Sequence, residues 1–212
     1  AMMAIISSEE SDPEILLSEL KKVPPIGSRE LVSEVTCEAP YTVPAQGPKR
    51  HSLAVLDFGV KRNILRSLSA LGAECQVFPA TTSAADILAS ATEGIVFSNG
   101  PGDPATVTTA IETARQLLGE RPSLGICLGH QIIGLALGGR TYKLPFGHHG
   151  GNHPVKDLAT GRIEITSQNH NYALDEASLA QAGVELTHVN LNDNTLEGMR
   201  LPKLRCMSLQ YH

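Results

Sequence analysis

Tryptophan is absent from the 212 residues, and the aromatic share is only 4%. A core built on aromatic stacking is thereby excluded. With 42% hydrophobic residues, one packed from Val, Ile, Leu and Ala is expected instead. No Lys/Arg block stands out, and 17 basic against 22 acidic residues leave a formal charge of −5. The basic footprint that nucleic-acid binding normally needs is missing. No hydrophobic run is long enough to span a bilayer: the longest, LGICLGHQIIGLALGG, is broken by His130 and Gln131. The opening AMMAIISSEESD lacks a basic n-region, so no signal peptide is expected. Cys37, Cys75, Cys127 and Cys206 lie far apart without a C-x-x-C pair, which argues against a disulfide framework or zinc knuckle and fits a reducing cytoplasm. No internal repeat is visible.

What is present divides near Lys49. Residues 1–49 read as a junction. Asp12-Pro13 is an N-cap followed by proline at the first helical position, opening a short helix to about Lys22 that Pro24-Pro25 stops. Ser28 is expected to cap a second short helix to about Val35, and TCEAPYTVPAQGPKRH then reads as a connector. Residues 50–212 are more regular. SLAVLDF, CQVF, GIVFS and SLGI are short apolar runs, hence buried strands. KRNILRSLSALG ending at Gly72, AADILAS capped by Ser83, Val107–Leu118 and LGHQIIGLAL are helices between and after them. This alternation predicts an α/β fold with a mainly parallel, doubly wound sheet and flanking helices. Beyond Gly139 it fades, and RIEITSQ, VELTHVN, TLEGMR and LRCMSLQ read as added antiparallel strands. The first strand-to-helix turn, DFGVKRN, has a single glycine and is neither G-x-G-x-x-G nor a Walker loop, so nucleotide binding is not expected.

The strongest local feature is GICLGHQ, residues 125–131, where a buried strand runs into a helix with Cys127 at the junction. This is the cysteine form of a nucleophile elbow. Side chains at the flanking positions would collide in so tight a turn, so Gly125 and Gly129 fit. A sulfur near a helix N-terminus is favoured as thiolate, and the Leu128 N–H points where an oxyanion would form. A structural cysteine buried in such a turn is the alternative. NGPGDP, residues 99–104, follows the preceding strand and offers exposed N–H groups at the carboxyl edge of the sheet, either as a second oxyanion donor or as an ordinary turn. A cysteine nucleophile needs a base. His212, His170, His130 and the cluster His148, His149 and His153 are candidates between which the residues alone do not choose. The cluster could hold a metal. It lacks H-E-x-x-H spacing and a completing carboxylate run, so a hydrogen-bonded turn and no metal are expected.

These motifs resemble one known family. GICLGHQ is similar to the nucleophile elbow of class I glutamine amidotransferases, and SNGPGDP to their oxyanion loop. DFGVKRNILR, FGHHGGNHPV and SQNHNYALDE resemble the small-subunit family of carbamoyl-phosphate synthetases, over about His51–His212. The resemblance implies hydrolysis of glutamine to glutamate and ammonia, through a thioester on Cys127 with His212 as base. Gly100 and Leu128 would supply the oxyanion hole, and Gly102, Gln131, Asn169, Asn171 and Tyr172 would hold the substrate. It implies a cytoplasmic protein of pyrimidine and arginine biosynthesis with a large synthetase subunit as partner. This chain would need no cofactor, ATP and Mg²⁺ belonging to that subunit. Two departures stand out. The family has a glutamate two residues after the histidine, in H-P-E, whereas this chain stops at His212, so a chain truncated at its carboxyl end and lacking a preceding N-terminal domain is expected. The substrate segment reads NHNY where glycine and phenylalanine are commoner, and Asn171 is the non-glycine type that tolerates a left-handed backbone. A non-catalytic glutaminase-fold partner or regulatory module of a synthetase is the principal alternative, and a cysteine hydrolase of another amide the next.

Overall fold

The computed structural model describes residues 3–212. Asp12 accepts from the Glu14 N–H and opens helix α1 (Pro13–Lys22), which buries none of its residues. The next helix departs from expectation. The Ser28 hydroxyl does not cap it but donates to the Pro25 carbonyl in a 3-10 turn. Helix α2 (Val32–Val35) starts later, with the Glu30 carboxylate accepting from the Val32 and Ser33 amides. A carboxylate is the longer arm, and it satisfies free amide donors from outside the helix. The proline-rich connector also differs, since it contains strand β1 (Tyr41–Val43). The stretch around it is fastened to the rest of the fold. Val32 sits in the core, the Cys37 N–H donates to the Asp57 carboxylate at 2.9 Å, and the Ala80 N–H donates to the Thr36 hydroxyl at 2.9 Å.

The alternation read from the sequence follows: β2 (His51–Asp57), α3 (Arg62–Ala70), β3 (Ala73–Pro79), α4 (Ala84–Ala89), β4 (Gly94–Phe97), α5 (Thr108–Leu117), β5 (Ser123–Ile126) and α6 (Leu128–Ala136). Gly72 ends α3 with a positive φ of 86°, and Ser83 caps α4 by accepting from the Asp86 N–H. The chain continues through β6 (Thr141–Asp157), β7 (Ile163–Leu174), β8 (Glu185–Asn190), β9 (Leu196–Leu201) and β10 (Cys206–Leu209). The ten strands of the described residues join one sheet in the order β1-β3-β2-β4-β5-β10-β9-β8-β6-β7. The class is as the sequence implied, mainly parallel at its centre with antiparallel additions.

Two assignments change. FGHHGGNHPV is not a turn but part of the 17-residue strand β6, whose pairing with β7 shifts register between Lys143 and His148 and again between Gly150 and His153. Its glycines serve as bulges, with φ of 72° at Gly147 and 124° at Gly150. β10 is not an antiparallel addition alone. It runs parallel to β5 on one side and antiparallel to β9 on the other, so it closes the parallel core.

From β2 the chain moves first outward to β3 and then back past β2 to β4 and β5. Strand order therefore reverses between β2 and β4, and a crevice opens at their carboxyl ends. Helices α4, α5 and α6 cover one face over Leu56, Phe58, Ile95 and Phe97. α3 covers part of the other, over Val55, Cys75, Val77 and Val96. No helix among the described residues is long and apolar enough to cross a membrane.

The tightest approach is that of α6 to β4. A Cβ added at Gly129 would lie 2.1 Å from the Phe97 carbonyl oxygen, which belongs to backbone and cannot rotate away. Gly129→Ala is therefore expected to cost about 3 kcal/mol of stability, measured by denaturant unfolding. A loss below about 0.5 kcal/mol, the ordinary range for surface changes, would show that the approach relaxes freely.

Candidate active site

β5 ends at Ile126 and α6 begins at Leu128, so Cys127 alone makes the turn. Its backbone lies at φ 54° and ψ −103°, a conformation that side chains resist. Neighbours hold it there. The Cys127 N–H donates to the Leu209 carbonyl at 2.8 Å, and its carbonyl accepts from the Gln131 N–H at 3.2 Å. The flanking glycines leave room, since a Cβ at Gly125 would come within 2.9 Å of the Gly129 carbonyl. Gly100 is required for the same reason: a Cβ there would meet the Phe58 carbonyl oxygen at 2.3 Å.

Outside the carboxyl ends of β2, β4 and β5 lies a cavity of about 340 Å³. Cys127 and Gln131 contribute from the elbow, Gly100 and Gly102 from the loop after β4, Asn169, Asn171 and Tyr172 from β7, and His212 from the segment after β10. Leu128 does not line the cavity with its buried side chain, but its backbone N–H is among the groups that offset burial at the Cys127 thiol. The sequence reasoning passed over Gly59 and Lys61, which line the same cavity beside Asn99, Pro101 and His170. Their signal was position. DFGVKRN follows the first strand of the parallel sheet, and dismissing it as a nucleotide loop left its ammonium group without a role. Asn171 needs no left-handed backbone, because it sits within β7 and carries no positive φ.

Burial pushes the Cys127 thiol up to about 12, against the pull of the Leu128 N–H and the Lys61 charge. The helix N-terminus therefore does not by itself make a thiolate in the resting site, contrary to the expectation from the sequence. Burial also pushes His212 down to about 4, helped by Lys61 and His170, so its imidazole is neutral at pH 7. A protonated thiol and a neutral imidazole in one cavity form a pair between which a proton can move.

The remaining histidines are engaged elsewhere. His130 is fully buried, with Nδ1 2.8 Å from the Ser208 hydroxyl, and burial holds it down to about 3. His170 lines the cavity, but its ring nitrogens face two acceptors, the Tyr172 carbonyl at 2.8 Å and Gln168 Oε1 at 2.9 Å, and the neutral ring donates to one of them. His212 differs from His170, the other histidine lining the cavity, in that its Nδ1 is buried without a partner. His148 pairs with Asp193 at 2.7 Å and with the fully buried Glu197 at 3.4 Å. One ligand-type atom from each of His148, His170 and Glu197 falls within 4.8 Å of the others. Glu197 also accepts from Gln168 at 2.9 Å and Asn190 at 3.0 Å, so each of these groups is held by hydrogen bonds and the arrangement is a buried ion network.

The profile of the family described as Glutamine amidotransferase class-I matches residues 54–212. The chain belongs to that family of proteins. More particularly, it is 50% identical over 225 residues to the carbamoyl phosphate synthase small chain of Syntrophotalea carbinolica, covering 100% of this chain and 59% of that one. It is 46% identical to the chloroplastic carbamoyl phosphate synthase small chain of Arabidopsis thaliana, covering 100% of this chain and 52% of that one. The chain thus spans little more than half the length of these relatives. A solved glutamine amidotransferase from Thermotoga maritima shares the fold at a TM-score of 0.58 and 16% identity, covering 76% of this chain and 75% of that one.

The ion network carries a pH signature. Hydrogen bonding to Glu197, then to Asp193, holds His148 above its ordinary 6.5. Burial alone would raise both carboxylates, but hydrogen bonds from His148 and its neighbours win and hold Asp193 below 3.8 and Glu197 below 4.5. The histidine's contribution is complete below 6.5 and fades as pH rises through its raised folded value. The carboxylates' contribution is complete above their ordinary values and fades as pH falls through the depressed ones. The network therefore stabilises most between 4.5 and 6.5. His148→Ala is expected to cost about 3 kcal/mol in that window, because it strips a partner from a buried carboxylate. Thermal unfolding at several pH values should show a smaller cost on the alkaline side, and a cost independent of pH would contradict the ion-pair assignment.

Proposed function

We propose that the chain is the glutaminase part of a carbamoyl-phosphate synthetase small subunit. In this reading it hydrolyses glutamine to glutamate and ammonia, and the ammonia goes to a large subunit that makes carbamoyl phosphate from bicarbonate and ATP. The supporting observation is the convergence on one cavity of a cysteine in a strained strand-to-helix turn, a neutral histidine and a glycine-rich loop, from three separate parts of the sheet.

Each residue then has a task. Cys127 gives its proton to His212, and the sulfur attacks the side-chain amide carbon of glutamine. Negative charge on the former carbonyl oxygen is taken by the N–H groups of Gly100 and Leu128. His212 returns the proton to the departing ammonia, then draws one from the water that cleaves the thioester. Gly102, Gln131, Asn169, Asn171 and Tyr172 hold the substrate. Asn171 Oδ1, buried and without a partner, is an acceptor suited to an ammonium group. The Nδ1 of His212 is the atom that the glutamate of an H-P-E segment would accept from, orienting the ring.

Residues 1–49 serve as the junction to a preceding domain, and residues 50–212 as the glutaminase domain. The chemistry asks no cofactor of this chain; ATP and Mg²⁺ act on the large subunit. Four free cysteines suit a reducing cytoplasm.

Cys127→Ala in the whole protein is expected to lower glutamine hydrolysis by about 10⁴-fold or more. A glutamine-analogue electrophile should add once, on Cys127, as read by intact mass and peptide mapping. Undiminished turnover by the variant would sink the reading. A folded protein that binds the large subunit yet never reacts would favour a non-catalytic partner.

A further inference from the structure

Gln210 is fully buried and does not line the cavity. Strand register nonetheless sets it beside the elbow. β10 runs parallel to β5 with Leu209 opposite Ile126, so Gln210 and Cys127 are the next residues along two adjacent strands. The Cys127 N–H bonded to the Leu209 carbonyl locks that register. Ser208 turns its hydroxyl to His130 on α6, and alternation along a strand sends Gln210 to the same face. There its Oε1 accepts from Gln131 Nε2 at 2.9 Å.

The orientation of this carboxamide is not free. Gln131 Nε2 also donates to the Tyr172 carbonyl at 2.6 Å, which fixes nitrogen rather than oxygen on that side of Gln131. The Gln210 atom facing that nitrogen must then be oxygen. The Gln210 nitrogen is turned the other way, buried and without a conventional hydrogen-bond partner. An orphaned N–H donor in a core destabilises the fold, so a group that uses it in another state is called for.

We propose that Gln210 is a further catalytic residue, whose side-chain N–H donates to the Cys127 sulfur and stabilises the thiolate formed when the proton passes to His212. The proposal rests on the glutaminase reading above. Strand register and alternation set the unpartnered nitrogen's side chain beside the elbow, and Gln210 is among the groups that offset burial at the Cys127 thiol. A thiol sulfur is a weak acceptor, whereas a thiolate is a strong one. The interaction thus tightens as charge appears, which is the condition for lowering a barrier rather than binding the resting state. In the step itself the S–H bond breaks, an N–H bond forms on the His212 imidazole, and the electron pair stays on sulfur. Gln210 and Leu128 divide the work: the Leu128 N–H turns to the substrate oxyanion once the sulfur attacks, while Gln210, behind the sulfur, has no access to the substrate.

The test is the rate of alkylation of Cys127 by iodoacetamide at one mildly alkaline pH in the whole protein, assigned by peptide mapping, with glutamine kinetics and thermal unfolding alongside. Gln210→Met keeps the size and removes the N–H. Its alkylation is expected to be about tenfold slower, and kcat should fall by a similar factor. An unchanged alkylation rate in a folded variant overturns the proposal. Gln210→Glu, which keeps an oxygen toward Gln131 and replaces the donor by an acceptor, should slow alkylation further, and it carries the same test if the methionine variant does not fold. Its KM should stay within about twofold, because Gln131 keeps its partner. Alkylation needs no glutamine. Normal turnover with an unchanged alkylation rate therefore removes Gln210 alone, while slowed alkylation in a protein that never hydrolyses glutamine supports the sulfur contact and removes the glutaminase reading.

Discussion

The close approach of α6 to the sheet at Gly129 is the constraint on which the site depends. The Gly129 N–H donates to the Ser98 carbonyl at 3.0 Å, and no side chain fits between it and the Phe97 carbonyl. That contact ties the elbow to the strand that carries the glycine-rich loop. Gly100 repeats the device one strand over, pressed against the Phe58 carbonyl at the end of β2. Three strand ends are thus locked by backbone contacts that only glycine permits, and a crevice common to many α/β sheets acquires one defined geometry. The positive φ of Cys127 is stabilised by this packing, which is how such strain survives.

Beneath the cavity the fold is unusually polar for an interior. Glu197, Gln168, Asn190, His148 and His170 are all buried and bonded to one another or to nearby backbone. Such a network is stable only when nearly every member is satisfied, and it then specifies one arrangement of the strands it joins. Gln168, on the strand that lines the cavity, donates to Glu197 on β9, so that strand is anchored from behind. Some exceptions sit near the cavity. His212 Nδ1, Asn171 Oδ1 and Gln210 Nε2 lack partners, and unsatisfied groups at a site are those on which ligands and charge development act.

Much of this was legible in the residues. Asp12-Pro13, Gly72 and Ser83 are caps whose partners lie within a few positions, and each behaves as read. G-x-C-x-G carries its own steric logic. Ser28 misled because a better acceptor, Glu30, stood nearby. FGHHGGNHPV misled because glycine and proline signal a bulge as readily as a turn, and only a facing strand decides between them.

The sequence by itself determined the alternating elements, the parallel class, the elbow and the loop after β4, because each rests on short-range sterics or on the period of a strand or helix. Tertiary structure alone decided the direction of β10, the place of Lys61, which histidines reach the cavity and which way Gln210 faces. These depend on partners far along the chain, Gln210 on Gln131 and His148 on Glu197 among them, and no local pattern encodes a partner that folding has yet to bring near. The protonation of the site belongs to the same group, because burial sets it and burial exists only once the sheet has closed.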